Sequence, residues 1–340
     1  MLQLVNITPF QAERAVQLDQ DGNQIWVVVV KATYLINGQG GLELHAEQEP
    51  VCLVPRYSGE PGKSSLLREC EAVFEHPGTD IILNATAHAP RRIPTQALDV
   101  VISVGQIQTT LRVFGDRRWK SRLYGPRATS PELFTEMPIV YENAFGGADS
   151  VDPESEKTAV ETRNPIGRGM ALKARHLVGQ RLPNIEDPND LIQGWRSRPY
   201  PVGLGAIPSS WSPRKEYAGT LDEAWYRERA PLWPVDFDPR YHRSAHPALV
   251  SVEPLRGGEW VSLTHLSPDS PLSFRLPRAR LIVDTHVART RLRQTVQLDR
   301  VIIEPDERKV LMIWRSSLNC RSQVRRVEKT VISLKPRKKW

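Results

Sequence analysis

The chain has 340 residues, enough for about two ordinary domains, and its 40% hydrophobic and 25% charged residues are typical of a soluble globular protein. No apolar run reaches the roughly 18 residues that a membrane helix needs, and residues 1–16 lack the pattern of a signal peptide. We therefore expect a soluble protein that acts in the cytoplasm without membrane insertion.

The net charge of +7 is concentrated at the end of the chain. From Leu318 onward, eight Lys or Arg residues stand against one Glu, so the rest of the chain is neutral. The stretch from Arg321 to Lys339 predicts either a solvated last strand or a contact with a polyanion. Only Trp340 adds an aromatic ring there, so we expect no nucleic-acid partner.

The first 120 residues read as β-structure. A long β-branched run at 25–36 predicts a strand, and 79–90 predicts a second one that ends at a proline. Residues 97–105 and 106–116 alternate between apolar and polar side chains, which predicts a hairpin across Gly105.

The middle of the chain, residues 121–247, reads as ordered loops. Sixteen of the 28 prolines lie between Pro126 and Pro254, together with four of the nine tryptophans. Proline fixes φ and tryptophan supplies apolar surface to bury, so this composition favours packed loops. Short helices are predicted at 186–194 and 220–229, the second with Thr220 as its N-cap and Glu223 closing a capping box.

Residues 248–340 return to strands about ten residues apart, including a hairpin closed by Pro305 and Asp306. The predicted fold is mainly β, with β-sandwich-like N- and C-terminal parts joined by a Pro/Gly/Trp-rich loop segment with a few short helices. The predicted boundaries are an N-terminal β domain at 1–120, the loop-rich segment at 121–247 and a C-terminal β domain with a basic end at 248–340.

Residues 163–170, RNPIGRGM, have the glycines and arginines of a phosphate loop but neither its flanking strand and helix nor its signature. We interpret them as a tight structural turn in which an arginine bonds to loop carbonyls. Arg163, Asn164 and Arg168 are therefore predicted to organise the loop or to bind a partner.

Asp236, Asp238, His242 and His246 offer an alternative, a metal-dependent hydrolase, because the histidines have the i, i+4 spacing of metal ligands. Pro239 limits any helix there to a turn or two. Aspartates in such a turn more often cap their own backbone.

Hydrolytic signatures such as GxSxG and HExxH are absent from the sequence, and the three cysteines have no metal spacing. We therefore expect no enzymatic activity and no cofactor. Trp225, Trp233 and Arg240 belong to a surface rich in Arg, Trp, Tyr and Pro, a composition that suits protein recognition. Together with Asp236 and Asp238, they are predicted to bind a partner or to hold the loop in shape.

Many motifs in one order resemble the bacterial family known as domain of unknown function 2169. They are NITPF (6–10), VVVVKATYLI (27–36), EQEPV (47–51), GEPGKSSLLRE (59–69), PGTDIILNATAHAP (77–90), VFGDRRW (113–119), MPIVYENAFGG (137–147), RNPIGRGM (163–170), LPNIEDP (182–188), YAGTLDEAW (217–225), PLWPVDFDPRYH (231–242) and LRGGEWVSLTHL (255–266).

The resemblance implies a non-enzymatic adaptor or chaperone of the type VI secretion system. Such an adaptor binds a secreted effector protein in the cytoplasm and promotes its loading onto the spike, which consists of a valine–glycine repeat protein with a PAAR-repeat tip. The resemblance supplies no catalytic residues, and it sets no oligomeric state.

Overall fold

The structure, a computed structural model, describes residues 2–149 and 159–335. Most of its regular elements are strands, so the predicted mainly β fold is confirmed. The strands are β1 (Gln3–Asn6), β2 (Gln11–Leu18), β3 (Gln24–Ile36), β4 (Leu42–Leu44), β5 (Arg56–Tyr57), β6 (Leu66–Arg68), β7 (Thr79–Leu83), β8 (Thr86–His88), β9 (Ala97–Val104), β10 (Ile107–Phe114), β11 (Trp119–Lys120), β12 (Arg127–Ala128), β13 (Glu136–Pro138), β14 (Phe145–Gly146), β15 (Ala148–Asp149), β16 (Ala159–Val160), β17 (Arg168–Gly169), β18 (Ile185–Glu186), β19 (Val250–Ser251), β20 (Trp260–Thr264), β21 (Leu272–Arg275), β22 (Leu281–Val287), β23 (Thr290–Gln294), β24 (Gln297–Glu304), β25 (Lys309–Asn319) and β26 (Val327–Leu334).

The helices in the described part of the chain are short. They are α1 (Ala174–Leu177), α2 (Glu223–Glu228) and 3-10 turns at Pro90–Arg92, Tyr141–Asn143, Lys215–Ala218, Pro239–His242, Pro247–Leu249 and Val324–Arg326. None of the helices in the described ranges combines the length and the apolar character needed to cross a bilayer.

Two helix predictions need correction. The predicted helix at 186–194 is wrong, because Ile185–Glu186 forms β18 and the following residues turn. The predicted helix at 220–229 is present but begins later. Its N-cap is Asp222, whose side chain accepts a hydrogen bond from Trp225 N, whereas Thr220 bonds elsewhere.

The largest sheet has the order β19-β7-β24-β25-β3-β2, with β4 added to β3. Strand β3 is central because its β-branched run buries nearly every side chain on both faces. It pairs antiparallel with β25 along eleven residues, from Leu35 with Lys309 to Ile25 with Asn319. The predicted hairpin closed by Pro305 is confirmed, as β24 and β25.

A second sheet has the order β18-β10-β9-β20-β21, and a third has the order β1-β26-β22-β23. The predicted hairpin across Gly105 is confirmed, as β9 and β10. Each of these sheets takes strands from both ends of the chain, so strand pairing crosses the boundaries at 120 and 247. The three-segment division stays a prediction about folding units.

Most buried apolar side chains form one continuous core between the sheets, with members such as Trp26, Leu83, Ile102, Ile302 and Leu311. Two smaller apolar clusters lie under the central loops. One contains Trp119, Ala171, Leu177 and Leu182, and the other contains Tyr141, Ala144, Ile207 and Trp211. The central loops are therefore packed segments, as proline and tryptophan content predicts.

Candidate partner-binding surface

Two segments of the central region, residues 144–149 and 163–170, pack closely and are named here the glycine loops. Strands β14 and β17 pair in parallel between them. At Gly146, φ is 151°, and an added Cβ would lie 2.1 Å from the carbonyl oxygen of Asn164. Glycine is required there because two backbones approach more closely than a side chain allows.

Asn164 is the centre of the glycine loops and has no exposed surface. Its Nδ2 donates to the carbonyl oxygens of Tyr141 (2.8 Å) and Phe145 (2.9 Å). An asparagine amide has two N–H donors, so one side chain satisfies two buried carbonyls. Asn164 therefore organises the loops, and its burial keeps it from direct contact with a partner.

Arg168 and Arg163, in the second glycine loop, bond to residues that immediately precede the two loops. The Arg168 guanidinium donates to Glu142 O and to Asn143 Oδ1, both at 2.7 Å. Burial lowers the pKa of Arg168, and the nearby positive charge of Arg181 lowers it further. Arg163 pairs with Glu161.

A cavity of about 460 Å³ lies beside the glycine loops. Three arginines line it, Arg118, Arg168 and Arg181, together with His176, whose Nδ1 lies 2.7 Å from Asp149 Oδ2. Guanidinium groups match the geometry of carboxylates and other oxyanions. The arginines on this wall therefore favour an anionic group over a cationic one.

The second assembly is the segment 217–242, named here the tryptophan loop. Asp236 accepts hydrogen bonds from the backbone N (2.9 Å) and the Oγ1 (2.8 Å) of Thr220, and these bonds lower the pKa of the Asp236 carboxyl. Asp238 accepts from the backbone N and Nε of Arg240, both at 2.8 Å. The Arg240 guanidinium lies 4.3 Å from the ring centroid of Tyr217. Both carboxylates and Arg240 thus hold the two ends of the loop together.

Trp233 packs against the main apolar core and against two rings of its own loop. Its ring centroid lies 4.4 Å from that of Phe237 and 5.3 Å from that of Tyr241. Trp225 is half-buried, and its Nε1 donates to Leu232 O at 2.9 Å. Both tryptophans contact their own loop, and whether either also contacts a partner stays a prediction.

A family model described as an uncharacterized protein conserved in bacteria, domain of unknown function 2169, matches residues 21–315. The chain belongs to this family. No curated protein and no solved structure matches the chain. Within family 2169, the matched range includes both glycine loops and the whole tryptophan loop.

The four residues of the alternative metal site do not come together in this family member. Within residues 2–149 and 159–335, no three His, Cys, Asp or Glu side chains form a group that could hold a metal ion. Asp236 and Asp238 bond within the tryptophan loop. His242 is buried, its ring 5.2 Å from that of Phe74, and burial first, then neighbouring positive charges, hold its pKa well below the ordinary value. The ring of His246 packs edge-on against Tyr200.

The outer side of the tryptophan loop carries large apolar side chains in solvent. Leu221 is 57% exposed, Tyr226 73% and Val235 79%. Thr220 and Asp236 are hydrogen-bonded to each other, and Leu221 and Val235 are their respective neighbours in the chain. Leu221 and Val235 therefore lie on the same part of the loop. Rigid loops that expose apolar side chains are typical of protein-binding surfaces.

The two ends of the loop also line a cavity of about 150 Å³. Tyr217 and Arg240 contribute to its wall, opposite Val250 and the exposed Val252. Tyrosine and arginine around a small apolar cavity are frequent at the energetic centres of protein interfaces. The size and lining of this cavity are those of a site that could take one apolar side chain.

Sequence reasoning missed Arg214, which joins the tryptophan loop to the N-terminal strands. Its Nη1 lies 2.7 Å from Glu69 Oε2, and its Nε donates to Tyr241 O at 2.9 Å. Arg214 stands in a polar stretch, SPRKEY, where no local pattern separates a buried arginine from a solvated one. The residues that it contacts are distant in sequence, so no spacing signal exists.

Proposed function

We propose that this protein is a non-enzymatic adaptor that binds a type VI secretion effector in the cytoplasm and promotes its loading onto the spike. The motif order described above motivates the proposal, because it resembles adaptors of that system. Membership of family 2169 is compatible with the role but assigns none.

The observation that carries the proposal is the exposed apolar surface of the tryptophan loop. Leu221, Tyr226 and Val235 lie in solvent although their loop is fixed by Asp236 and by the packing of Trp233. A loop that is already ordered loses little conformational entropy when it binds, so its apolar surface is available for affinity. Such an arrangement supports recognition of a protein better than chemistry on a small molecule.

The surroundings supply specificity. Arg240 and Tyr217 line the small cavity at the base of the loop, and the arginines of the larger cavity lie beside the glycine loops. A partner that places an apolar side chain in the small cavity at the base of the loop needs about 1,000 Å² of total buried surface for a stable interface. The effector is proposed as this partner, and the spike protein or its PAAR-repeat tip is proposed as the acceptor.

Co-expression with the product of the neighbouring gene tests the proposal. We expect a toxin-like neighbour to co-purify with this chain and to depend on it for secretion. The double variant Tyr226→Ser/Val235→Ser should lose most of the captured partner. Ile7→Ser/Val54→Ser is the matched control, because those side chains are 67% and 72% exposed elsewhere on the surface.

Two results would contradict the proposal. One is a toxin-like neighbour that neither co-purifies with the chain nor needs it for secretion. The other is equal loss of partner in the loop variant and in the control, which would place the interface away from the tryptophan loop.

A further inference from the structure

The sheet β1-β26-β22-β23 has one face against the core and one face outside. Val283, Thr285 and Ile332 are fully buried on the inner face. Residues alternate between faces along a strand, so the outer face carries the intervening positions. There, Arg291, His286 and Lys329 stand opposite one another across three strands.

The hairpin between β22 and β23 joins two basic stretches that are separate in sequence. Its two-residue turn is Ala288–Arg289, with φ of 47° and 70°, a conformation that usually belongs to Gly or Asn. Ala288 N donates to Arg326 O at 3.2 Å, and Arg289 N donates to Glu328 Oε1 at 3.0 Å. The hairpin that carries the arginines of 289–293 therefore lies beside Arg326 and the start of β26.

The positive charges of this sheet exceed the negative ones. Asp284 pairs with Arg291 (2.5 Å) and Arg293 (3.0 Å), whose hydrogen bonds lower the pKa of its carboxyl to about 2. Within the described residues, Arg289, Arg326 and Lys329 are exposed and have no ion pair of their own. Unpaired cations fixed on a rigid sheet attract an anionic partner and accelerate its association.

We propose that this outer face and its hairpin tip form a second interaction surface, which binds an acidic segment of a protein. Apolar side chains alternate with the cations, since Val5, Val331 and Ile282 are half-buried on the same face. A phosphate backbone would pair with the cations but would place charged oxygens against these apolar side chains. A protein segment with carboxylates and small apolar side chains complements both the cations and the apolar side chains, and guanidinium groups pair with carboxylates in a bidentate geometry.

The strands β1 and β26 of this surface lie outside the range that the family model matches, residues 21–315, whereas the tryptophan loop lies inside it. The inference therefore goes beyond the proposed adaptor role and stands or fails independently of it.

Binding of a labelled peptide of Glu and Val residues to the full chain tests the inference, with fluorescence anisotropy as the readout. We expect salt-sensitive binding that weakens at least about tenfold in the triple variant Arg289→Gln/Arg326→Gln/Lys329→Gln. The matched control is Lys120→Gln/Arg122→Gln/Arg127→Gln, which removes the same charge from exposed positions elsewhere. We expect the control to bind like the unmodified chain.

The competing partners are tested in parallel. A duplex DNA of equal charge and vesicles of phosphatidylcholine with phosphatidylserine should bind more weakly than the peptide. Preference for the duplex or the vesicles would overturn the inference and assign the surface to nucleic acid or lipid. Equal weakening in both triple variants would also overturn it, because net charge alone would then explain binding.

Discussion

Replacing Lys31 by methionine should destabilise the protein strongly. Lys31 lies in the centre of β3 with no exposed surface. Its Nζ is 2.9 Å from Glu71 Oε1 and 2.9 Å from Glu49 Oε1, and it donates to Pro50 O at 3.1 Å. The Glu71 side chain is 1% exposed, so it depends on Lys31 for its charge compensation.

The size of the loss in unfolding free energy depends on which buried carboxylates lose their positive partner. In Lys31→Met, Glu49 keeps its pair with Arg68 (3.0 Å), whereas Glu71 keeps only a hydrogen bond from Cys52 N. Removing one partner of a buried ion pair typically costs about 3–5 kcal/mol. Since a domain is stable by only about 5–15 kcal/mol, the variant should lose about a fifth or more of its free energy of unfolding.

Urea unfolding followed by tryptophan fluorescence measures this loss. The double variant Lys31→Met/Glu71→Gln should regain about 2 kcal/mol or more, because the buried negative charge is gone while the bond from Cys52 N remains possible. Glu60→Gln is the control, since its pair with Lys63 is exposed and should be worth less than about 1 kcal/mol. A loss below about 1 kcal/mol in Lys31→Met would refute the assigned role of this pair.

Three further predictions concern residues of the glycine loops and the tryptophan loop. Asn164→Ala should cost about 1–3 kcal/mol in urea unfolding, since it removes the side-chain donor to the buried Phe145 carbonyl and leaves the Tyr141 carbonyl with only the backbone N–H of Ala144, and a change within error would contradict its organising role. Asp236→Asn should change thermal stability little, because its hydrogen bonds to Thr220 are exposed; a large drop would show that the loop depends on its charge. In the unfolded state, His242 binds a proton at its ordinary pKa of 6.5, whereas in the folded state it binds one only at a lower pH. The free energy of unfolding should therefore fall as the pH drops below 6.5, by up to about 1.4 kcal/mol per pH unit for this group. His242→Phe should reduce that slope between pH 6.5 and 5, and an unchanged slope would contradict the assignment.

Local sequence patterns predicted the strands well. The β-branched run of β3 and the alternation of β9 and β10 each correspond to an observed strand, because side-chain periodicity acts on neighbouring residues. The helix predicted at 186–194 failed because Ile185 pairs with Val113, a contact between residues far apart in sequence. The N-cap was misplaced from Asp222 to Thr220 because both residue types cap helices and only the fold gives Thr220 another partner, Asp236.

The candidate partner-binding surface could likewise be predicted only in part from the sequence. The prolines, tryptophans and aspartates of the tryptophan loop indicate from the sequence an ordered segment that caps its own turns, and Asp238 does cap one. The exposure of Tyr226 and Val235 could not be predicted, because it depends on which side of the loop meets the core.

The sequence by itself determined a mainly β protein with packed central loops, a neutral body and a basic end. Only the tertiary structure decided which strands become neighbours. Pairing β25 with β3 buries Lys31 among carboxylates that lie 18 and 40 residues further along the chain. Pairing β22 with β26 places the arginines of 289–293 beside the basic end. Hydrogen bonds between strands and charge compensation act through space, so no local pattern in the chain encodes them.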